Sequence, residues 1–588
     1  MTDVVALTPP LQPPTRPSVP MPTETTVASL GPLLDRVASQ ARSFARLSPG
    51  KKAELLARVR PRFLELAPRM AELGNLAKGI DPTAPEAGEE WFGGNAISLR
   101  ALRVFEQALR DIQRHGAPAI PEAAVERTRD GRTRVRVIPH DRYDALLFRG
   151  WQSYVYLEAG AVPTQISELQ ASFYRQREPE GRVVAVLGGG NVGSISVLDV
   201  LYHSFVDGAV CVLKLSPVNA YLGPLYERAF QPLIEAGYLG IVYGGRELGE
   251  ALVQDPRVNA VHITGSIDTH DAIVFGPPGA ERERRKRERA PLLTKPITSE
   301  LGNVSPVLIV PAVYSERELD AAVRNVVGMV IQNASFNCNA AKLLVTARGW
   351  PQRDEFQRRL RVALAAIPPR LAYYPGADQR YDTLVSQPAG GEVISLGARE
   401  GGRLPWTLIW GLLPGSSAPE FRIEPFCSIV SEVSLPGQDA AEFFRRAPRF
   451  LNEEVWGTLN AMWIAPDSVL TDTELRAALD RGTQELRYGT VGINVWPAVG
   501  YGLGWLPWGG HPSSTLTDAQ SGIGFGHNGI MLERVEKAVV EGPLLLFPEP
   551  FYYPGHPRLL ELAKAMCSFE AEPSWLRVAG AAFNALLR

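Results

Sequence analysis

Cysteine is scarce: Cys211, Cys338, Cys427 and Cys567 are the four in 588 residues. They are too scattered for a disulfide framework, and no CxxC or mixed His/Cys spacing accompanies them. Neither a disulfide-stapled secreted fold nor a metal site is expected, and a reducing, cytoplasmic setting fits best. Long apolar runs are missing too. No stretch approaches the ~18 consecutive apolar residues of a membrane span, and residues 1–22 lack a basic segment followed by an apolar one, so neither a span nor a secretory signal is expected. Nor is one sign of charge in excess: 61 Lys and Arg face 63 Asp and Glu, a formal net charge of −2. Nucleic acid therefore has no electrostatic claim as a partner.

What is present is an ordinary globular composition, 45% hydrophobic and 21% charged, in a chain too long for one core, so two or three domains are expected. Prolines crowd the segment Thr8-Pro9-Pro10 to Pro20-Met21-Pro22 and bar regular structure there; residues 1–28 read as a disordered arm. Helical spacing follows as far as about residue 116, with Leu34 and Val37, then Leu56, Val59 and Phe63, then Leu102, Phe105 and Leu109. Alternation at 133–138 and the run 153–157 predict strands.

Arg182 to Leu187 is an apolar run of the kind that forms a parallel strand covered on both faces. The turn Gly188-Gly189-Gly190-Asn191-Val192-Gly193-Ser194 and an apolar helical stretch to Phe205 follow. Strand, glycine turn and helix let a backbone approach a ligand closely and set an anion at a helix N-terminus. Further strands at 209–215, 240–243 and 258–263 imply a parallel, doubly wound sheet. The mixed-charge run 281–289 reads as a solvated surface.

One thiol stands apart. Cys338 lies between Asn337 and Asn339, poor companions for an inert core cysteine, and a carboxylate followed closely by a glycine, Glu300-Leu301-Gly302, lies upstream. A thiol on one loop and a carboxylate on another suit covalent catalysis, in which one attacks a carbonyl and the other later activates water.

Glu300-Leu301-Gly302-x-x-Ser305-Pro306 followed by Asn333-x-x-x-x-Cys338 resembles the aldehyde dehydrogenase superfamily, and matching segments run in order from about residue 182 to about residue 525. The resemblance implies an α/β fold: a Rossmann-type cofactor domain, an α/β catalytic domain and a small β oligomerisation extension. The corresponding divisions are the arm 1–28, N-terminal helices and dinucleotide domain 29–298 with a β ribbon about 131–160, catalytic domain 299–510 and C-terminal extension 511–588. The tail helices are expected to pack on the body.

The resemblance also implies site residues. Cys338 matches the nucleophile, Glu300 the base, and Asn191 the amide that holds the oxyanion together with the Cys338 N–H. Cofactor positions are Lys214, Ser216, Gly245, Thr264, Gly265, Ser266, Leu301, Gly302, Glu424 and Phe426, for NAD or NADP. Gly189-Gly190 replaces the family's usual Pro-Trp before the asparagine, and Cys427 stands after Phe426 where glycine is usual. Pro217 stands where many NAD-preferring members carry a ribose-binding glutamate, so NADP should be tolerated. Trp496, Trp505, Trp508 and Phe426 are candidates for the substrate entrance, favouring an apolar or aromatic aldehyde. The implied reaction is NAD(P)-dependent oxidation of an aldehyde to an acid through a cysteine thioester, in a homodimer or homotetramer. The alternatives are a CoA-acylating relative, against which Glu300 argues, and a non-catalytic scaffold.

Overall fold

The computed structural model describes residues 18–128, 130–386 and 389–587, so most of the expected proline-rich arm lies outside the described residues. Its last part is not free. Thr25 donates its N–H to the Tyr243 carbonyl at 2.7 Å and accepts from the Tyr243 N–H at 3.0 Å, and a helix Val27–Ala45 begins directly after it.

Two sheets organise the chain. The first runs in the order Gly522–Ile523, Ile297–Leu301, Ala260–Gly265, Val183–Leu187, Val210–Leu215, Leu239–Tyr243. All of its pairings are parallel except the short edge strand Gly522–Ile523. Helices cover both faces, which is why strands such as Val183–Leu187 are apolar throughout. The N-terminal helices Val27–Ala45, Pro49–Ala77 and Ile97–His115 bury the predicted stripes, including Leu34, Val37, Leu56, Phe63, Leu102 and Phe105. Each such side chain contributes about 1.5–3 kcal/mol of burial free energy.

The second sheet has eleven strands. Seven parallel strands, from Trp406–Leu412 at one end to Val535–Glu541 at the other, form its body, and the predicted ribbon (Val125–Arg127, Thr133–Ile138, Gln152–Leu157) continues it antiparallel through Val535–Glu541. Beyond the expected boundary at residue 510, Gly522–Ile523 joins the first sheet and Val535–Glu541 the second. Backbone pairing is the reason, since without Val535–Glu541 two strand edges would have no partner.

Past that strand, helices Leu559–Ala571 and Trp575–Leu586 pack back on the body as expected. The charged run forms a helix, Ala280–Glu288, largely solvated. No helix among the described residues is long and apolar enough to cross a membrane, and no group of three or more potential ligands could hold a metal ion.

The tail is fastened by buried charge. Glu570 accepts from Arg100 at 3.0 Å and Arg103 at 2.7 Å, while Arg100 also holds Asp144 at 2.9 Å and the Leu503 carbonyl at 2.8 Å. Burial pushes the Glu570 carboxyl up, yet the Arg103 and Arg100 guanidiniums hold it below its ordinary range. Removing one partner strands the others without compensation, so Glu570→Gln should cost about 3–5 kcal/mol of stability in chemical denaturation; an unchanged midpoint would show that the cluster does not fasten the tail.

Candidate functional site

The helix Glu316–Ile331 starts with a capping box, in which the Ser315 side chain accepts from the Glu318 N–H and the Glu318 carboxylate from the Ser315 N–H at 2.8 Å. It ends at an unusual loop: Asn333, Ala334 and Ser335 are left-handed in succession, at φ 53°, 53° and 68°. Such backbone costs on the order of 1 kcal/mol per non-glycine residue and persists because the surroundings hold it. The Asn333 side chain accepts from Lys78 Nζ at 2.8 Å and Tyr373 OH at 2.9 Å, and donates to Asn337 Oδ1 at 2.9 Å. Lys342 Nζ donates to the Ser335 carbonyl at 2.6 Å and hydroxyl at 2.9 Å. Ser305 Oγ closes the loop by donating to the Cys338 carbonyl at 2.6 Å.

Three predicted residues meet at the end of this loop. Cys338 Sγ donates to Glu300 Oε1 at 3.5 Å, at the end of the strand Ile297–Leu301. Asn191 stands on the glycine turn, its side chain donating to the Phe336 carbonyl at 2.9 Å with the second N–H of the amide left over. The turn must be glycine because it is packed tight: a Cβ on Gly188 would stand 2.1 Å from Ser196 Oγ, and one on Gly190 2.4 Å from Ser216 Oγ.

Two cavities reach this point. One, of about 160 Å3, is walled mainly by apolar side chains, Phe92, Val192, Ile195, Val499, Phe551 and Met566 among them. The other, of about 510 Å3, is bordered by Thr264, Gly265, Ser266, Leu301, Gly302, Glu424 and Phe426. Cys338, Glu300 and Asn191 border both.

Lys214, Ser216 and Gly245 are not in the wall of the larger cleft. They lie farther along the carboxyl ends of the adjacent strands, where Lys214 runs over Gly249 and Gly245 caps the helix Arg246–Gln254. Trp496 and Trp508 do border the apolar cavity. Trp505 does not border either cavity: it is buried in the core with its ring stacked on His140, 3.7 Å between centroids, while Phe426 faces the larger cleft.

The larger cleft suits a dinucleotide on its own chemistry. Glu424 Oε1 is buried with no hydrogen-bond partner, and a Cβ on Gly302 would stand 2.1 Å from Glu424 Oε2. A carboxylate beside a bare backbone calls for a hydroxyl donor brought in close, such as a ribose carries. Ser266 caps the helix Ile267–Phe275 at the same cleft, accepting from the Thr269 N–H at 3.2 Å, where helix N–H groups favour a phosphate.

The electrostatics of the protein alone disfavour an ionised sulfur. Burial, then the Glu300 and Glu424 carboxylates, push the Cys338 thiol well above its ordinary range. Burial also raises Glu300 to about 7, with Asp199 adding to the rise and the Trp508 indole opposing it. The expected activation of the sulfur must therefore come from a positive partner or from proton transfer to Glu300.

Several contributors went unremarked in the sequence. Asp199, His262, Lys78 and Tyr373 are all buried here. The first two had a signal: His262 interrupts Val261 and Ile263 in a strand, and Asp199 interrupts Val197-Leu198 and Val200-Leu201 in a helix.

Comparison with known proteins bears on the same residues. Residues 152–371 match the model of the aldehyde dehydrogenase family. An N-succinylglutamate 5-semialdehyde dehydrogenase of Erwinia tasmaniensis is 27% identical over 221 residues, 37% of each chain, so this chain matches just over a third of that relative's length. Among solved structures, a Mycobacterium tuberculosis aldehyde dehydrogenase complexed with NAD+ is similar at TM-score 0.58 and 19% identity, covering 89% of this chain and 91% of that one. The glyceraldehyde-3-phosphate dehydrogenase GapN of Methanocaldococcus jannaschii, complexed with NADP, is similar at TM-score 0.58 and 13% identity, with 90% and 98% covered. At these identities the two structures establish a shared fold.

The raised thiol sets an expectation for alkylation. Without cofactor, iodoacetamide should label Cys338 slowly at pH 7 and faster as pH rises beyond 9, while buried Cys211, Cys427 and Cys567 stay unlabelled in the folded protein. Glu300→Gln removes a charge that opposes thiolate formation and should speed labelling several-fold at pH 8. Mass spectrometry reads both; fast labelling of the unaltered protein at pH 7 would contradict the assignment.

Proposed function

We propose that this chain, a member of the aldehyde dehydrogenase superfamily, oxidises an apolar aldehyde to a carboxylic acid through a thioester on Cys338, with NAD or NADP as cofactor. The observation that carries the reading is the meeting of an apolar cavity and a dinucleotide-sized cleft at one sulfur, with Glu300 3.5 Å away. When bound, the nicotinamide would supply a hydride acceptor and a positive charge; Thr264, Gly265 and Ser266 would hold the phosphates and Glu424 a ribose.

The remaining roles belong to the chain's own residues. Glu300, raised to about 7, is matched to taking the Cys338 proton near neutrality as the sulfur adds to the carbonyl carbon. The free N–H of the Asn191 amide and the Cys338 N–H hold the oxygen on which charge develops. Once the thioester has formed, Glu300 takes a proton from water, whose oxygen attacks the carbonyl carbon; the C–S bond breaks and the sulfur recovers a proton. Phe92, Val192, Phe551 and Met566 keep the acyl side dry and select against charged substrates. A base this close to the sulfur supports hydrolysis over transfer to CoA.

The test is release of free acid with NADH or NADPH from hexanal or benzaldehyde, without CoA. Cys338→Ser should abolish it, and Glu300→Gln should slow acylation and, more severely, release of the acid, the latter at least a hundredfold. Acid release should rise with pH through about 7 and level above it, because Glu300 acts in its ionised form. An activity that survives Cys338→Ser unchanged defeats the reading.

Nucleotide preference turns on a residue outside the matching motifs. On the side of Pro217, Thr25 bonds Tyr243, whose strand partner is Leu215, and the neighbouring Glu24 acts electrostatically on Lys214. Burial lowers the Lys214 ammonium and Glu24 raises it back. An anionic Glu24 would oppose a ribose 2′-phosphate that Lys214 alone would attract. Glu24→Gln should improve binding of 2′,5′-ADP relative to 5′-AMP about fivefold, ~1 kcal/mol, by calorimetry; an unchanged ratio removes Glu24 from the nucleotide site.

A further inference from the structure

A line of buried titratable groups runs away from Glu300 on the side opposite the substrate. In the sheet, His262 pairs in register with Thr298, and Thr264 with Glu300. These four put a polar stripe on a face of a covered parallel sheet, where apolar side chains belong. Asp199 stands over them from the helix Ser194–Phe205. Its Oδ1 lies 3.3 Å from His262 Nε2, and its Oδ2 accepts from Thr264 Oγ1 at 3.0 Å. Asp199 also faces Glu300. A Cβ on Gly526 would stand 3.1 Å from Glu300 Oε2 and 3.4 Å from Asp199 Oδ1, which leaves the two carboxylates within reach of one bridging water.

The line continues outward along one ridge of that helix. His203 follows Asp199 by four residues, and Asp207 follows His203 by four, just past the helix end. The rings of His262 and His203 are 4.8 Å apart between centroids, and His203 Nδ1 bonds Asp207 Oδ2 at 2.8 Å. His203 Nε2 is buried without a hydrogen-bond partner, a costly arrangement with no structural purpose in view. The Asp207 side chain is 32% exposed. Asp199, His262 and His203 are all at most 3% exposed, so the row leads from beside Glu300 through buried groups to the partly exposed Asp207. Tyr202 and Cys211, which also pack here, are pushed up by burial and stay neutral.

We propose that Asp199, His262, His203 and Asp207 form a proton exit from Glu300 to solvent. This rests on the reading of the site given above. Each turnover converts an aldehyde and a water into a carboxylate, a hydride and two protons. One proton starts on Cys338 and the other on water, and Glu300 is the group placed to take them. With cofactor in one cavity and an acyl group in the other, neither opening is free for a proton to leave. Glu300 passes it to the Asp199 carboxylate, which returns to its ionised form by protonating an imidazole; the imidazole is restored by transfer to Asp207 and water. No bond other than O–H and N–H changes, and no oxidant or reductant is involved.

The inner residues lie beside Glu300 and act on it electrostatically, so the outer ones, His203 and Asp207, carry the test. His203→Gln and Asp207→Asn are compared in two assays on the full chain. In the first, p-nitrophenyl acetate acylates Cys338 with the cofactor cleft open, and protons leave through the cleft. In the second, NAD and hexanal are present, and a pH-indicator dye follows proton release beside acid formation. Both variants should match the unaltered protein with the ester. In the second assay they should release protons and acid on the order of tenfold more slowly, with His203→Gln partly rescued by added imidazole. Equal losses in both assays, or no loss in either, would overturn the exit. Absence of NADH and of acylated Cys338 in the unaltered protein would instead overturn the reading of the site, and the exit with it.

Discussion

Lys78 holds the two halves of the site in register. It leaves the end of the long helix Pro49–Ala77, is almost wholly buried, and donates to the Asn191 carbonyl at 2.9 Å and to Asn333 Oδ1 at 2.8 Å, with Glu90 as its ionic partner. The first contact fixes the glycine turn of the cofactor sheet, the second the nucleophile loop leaving the catalytic half. Tyr373 OH bonds the same two acceptors at 3.1 and 2.9 Å. A buried ammonium is tolerated only when its donors are satisfied, so this lysine demands that turn and loop stay together. The left-handed backbone of Asn333 to Ser335 follows from that demand: the loop bends where its side chains and carbonyls are claimed.

The same burial governs the chemistry. Excluding water raises Cys338 and Glu300 together, so the resting pair is a thiol beside a carboxyl that titrates near neutrality. Transfer of the proton from that thiol to that carboxylate is uphill and is drawn forward only as the sulfur adds to a carbonyl, whereas a permanently ionised thiolate would be exposed to oxidation and stray electrophiles. Lys342 and Glu424 behave alike on the cofactor side: burial pushes the lysine down and the carboxyl up, and each partly restores the other. Unfilled acceptors on Glu424 and unfilled left-over donors on Asn191 then mark the places that ligands complete.

Motifs with a local physical meaning were legible in the sequence. Cys338 and Glu300 announced themselves through polar flanks and a following glycine, Asn191 through the family resemblance, and all three border both cavities. The apolar stripes of the first helices were legible for the same reason, since periodicity is a short-range property. Partners drawn from distant segments were not. Lys78, 255 residues from its acceptor Asn333, carries no nearby mark of its role, and neither does Glu24 beside Lys214. The strand pairings beyond residue 510 were equally hidden, because Val535–Glu541 reads as a strand only once its neighbours across the sheet are known. Trp505 illustrates the reverse error: ring size alone cannot separate a tunnel wall from a core position stacked on His140.

The tail completes the argument about substrate. Met566 and Glu570 of the helix Leu559–Ala571 border the apolar cavity, and the turn Trp91–Ala96, a π-helical segment packed against that helix, forms the facing wall. A π turn sets Phe92 out of ordinary helical phase, and its ring stacks on Phe551 at 4.5 Å. The charges in this wall are already spent: Arg100 on Asp144 and Glu570, Lys78 on Glu90. Away from Glu300, Asn191 and the polar loop at the sulfur, the wall that remains is mainly apolar. An anionic aldehyde would find no free cation among these groups, whereas an alkyl or aryl chain would displace water from Phe92, Val192, Phe551 and Met566, at about 25 cal/mol for each Å2 covered. The apolar preference proposed for the substrate thus rests on ion pairs that close on one another.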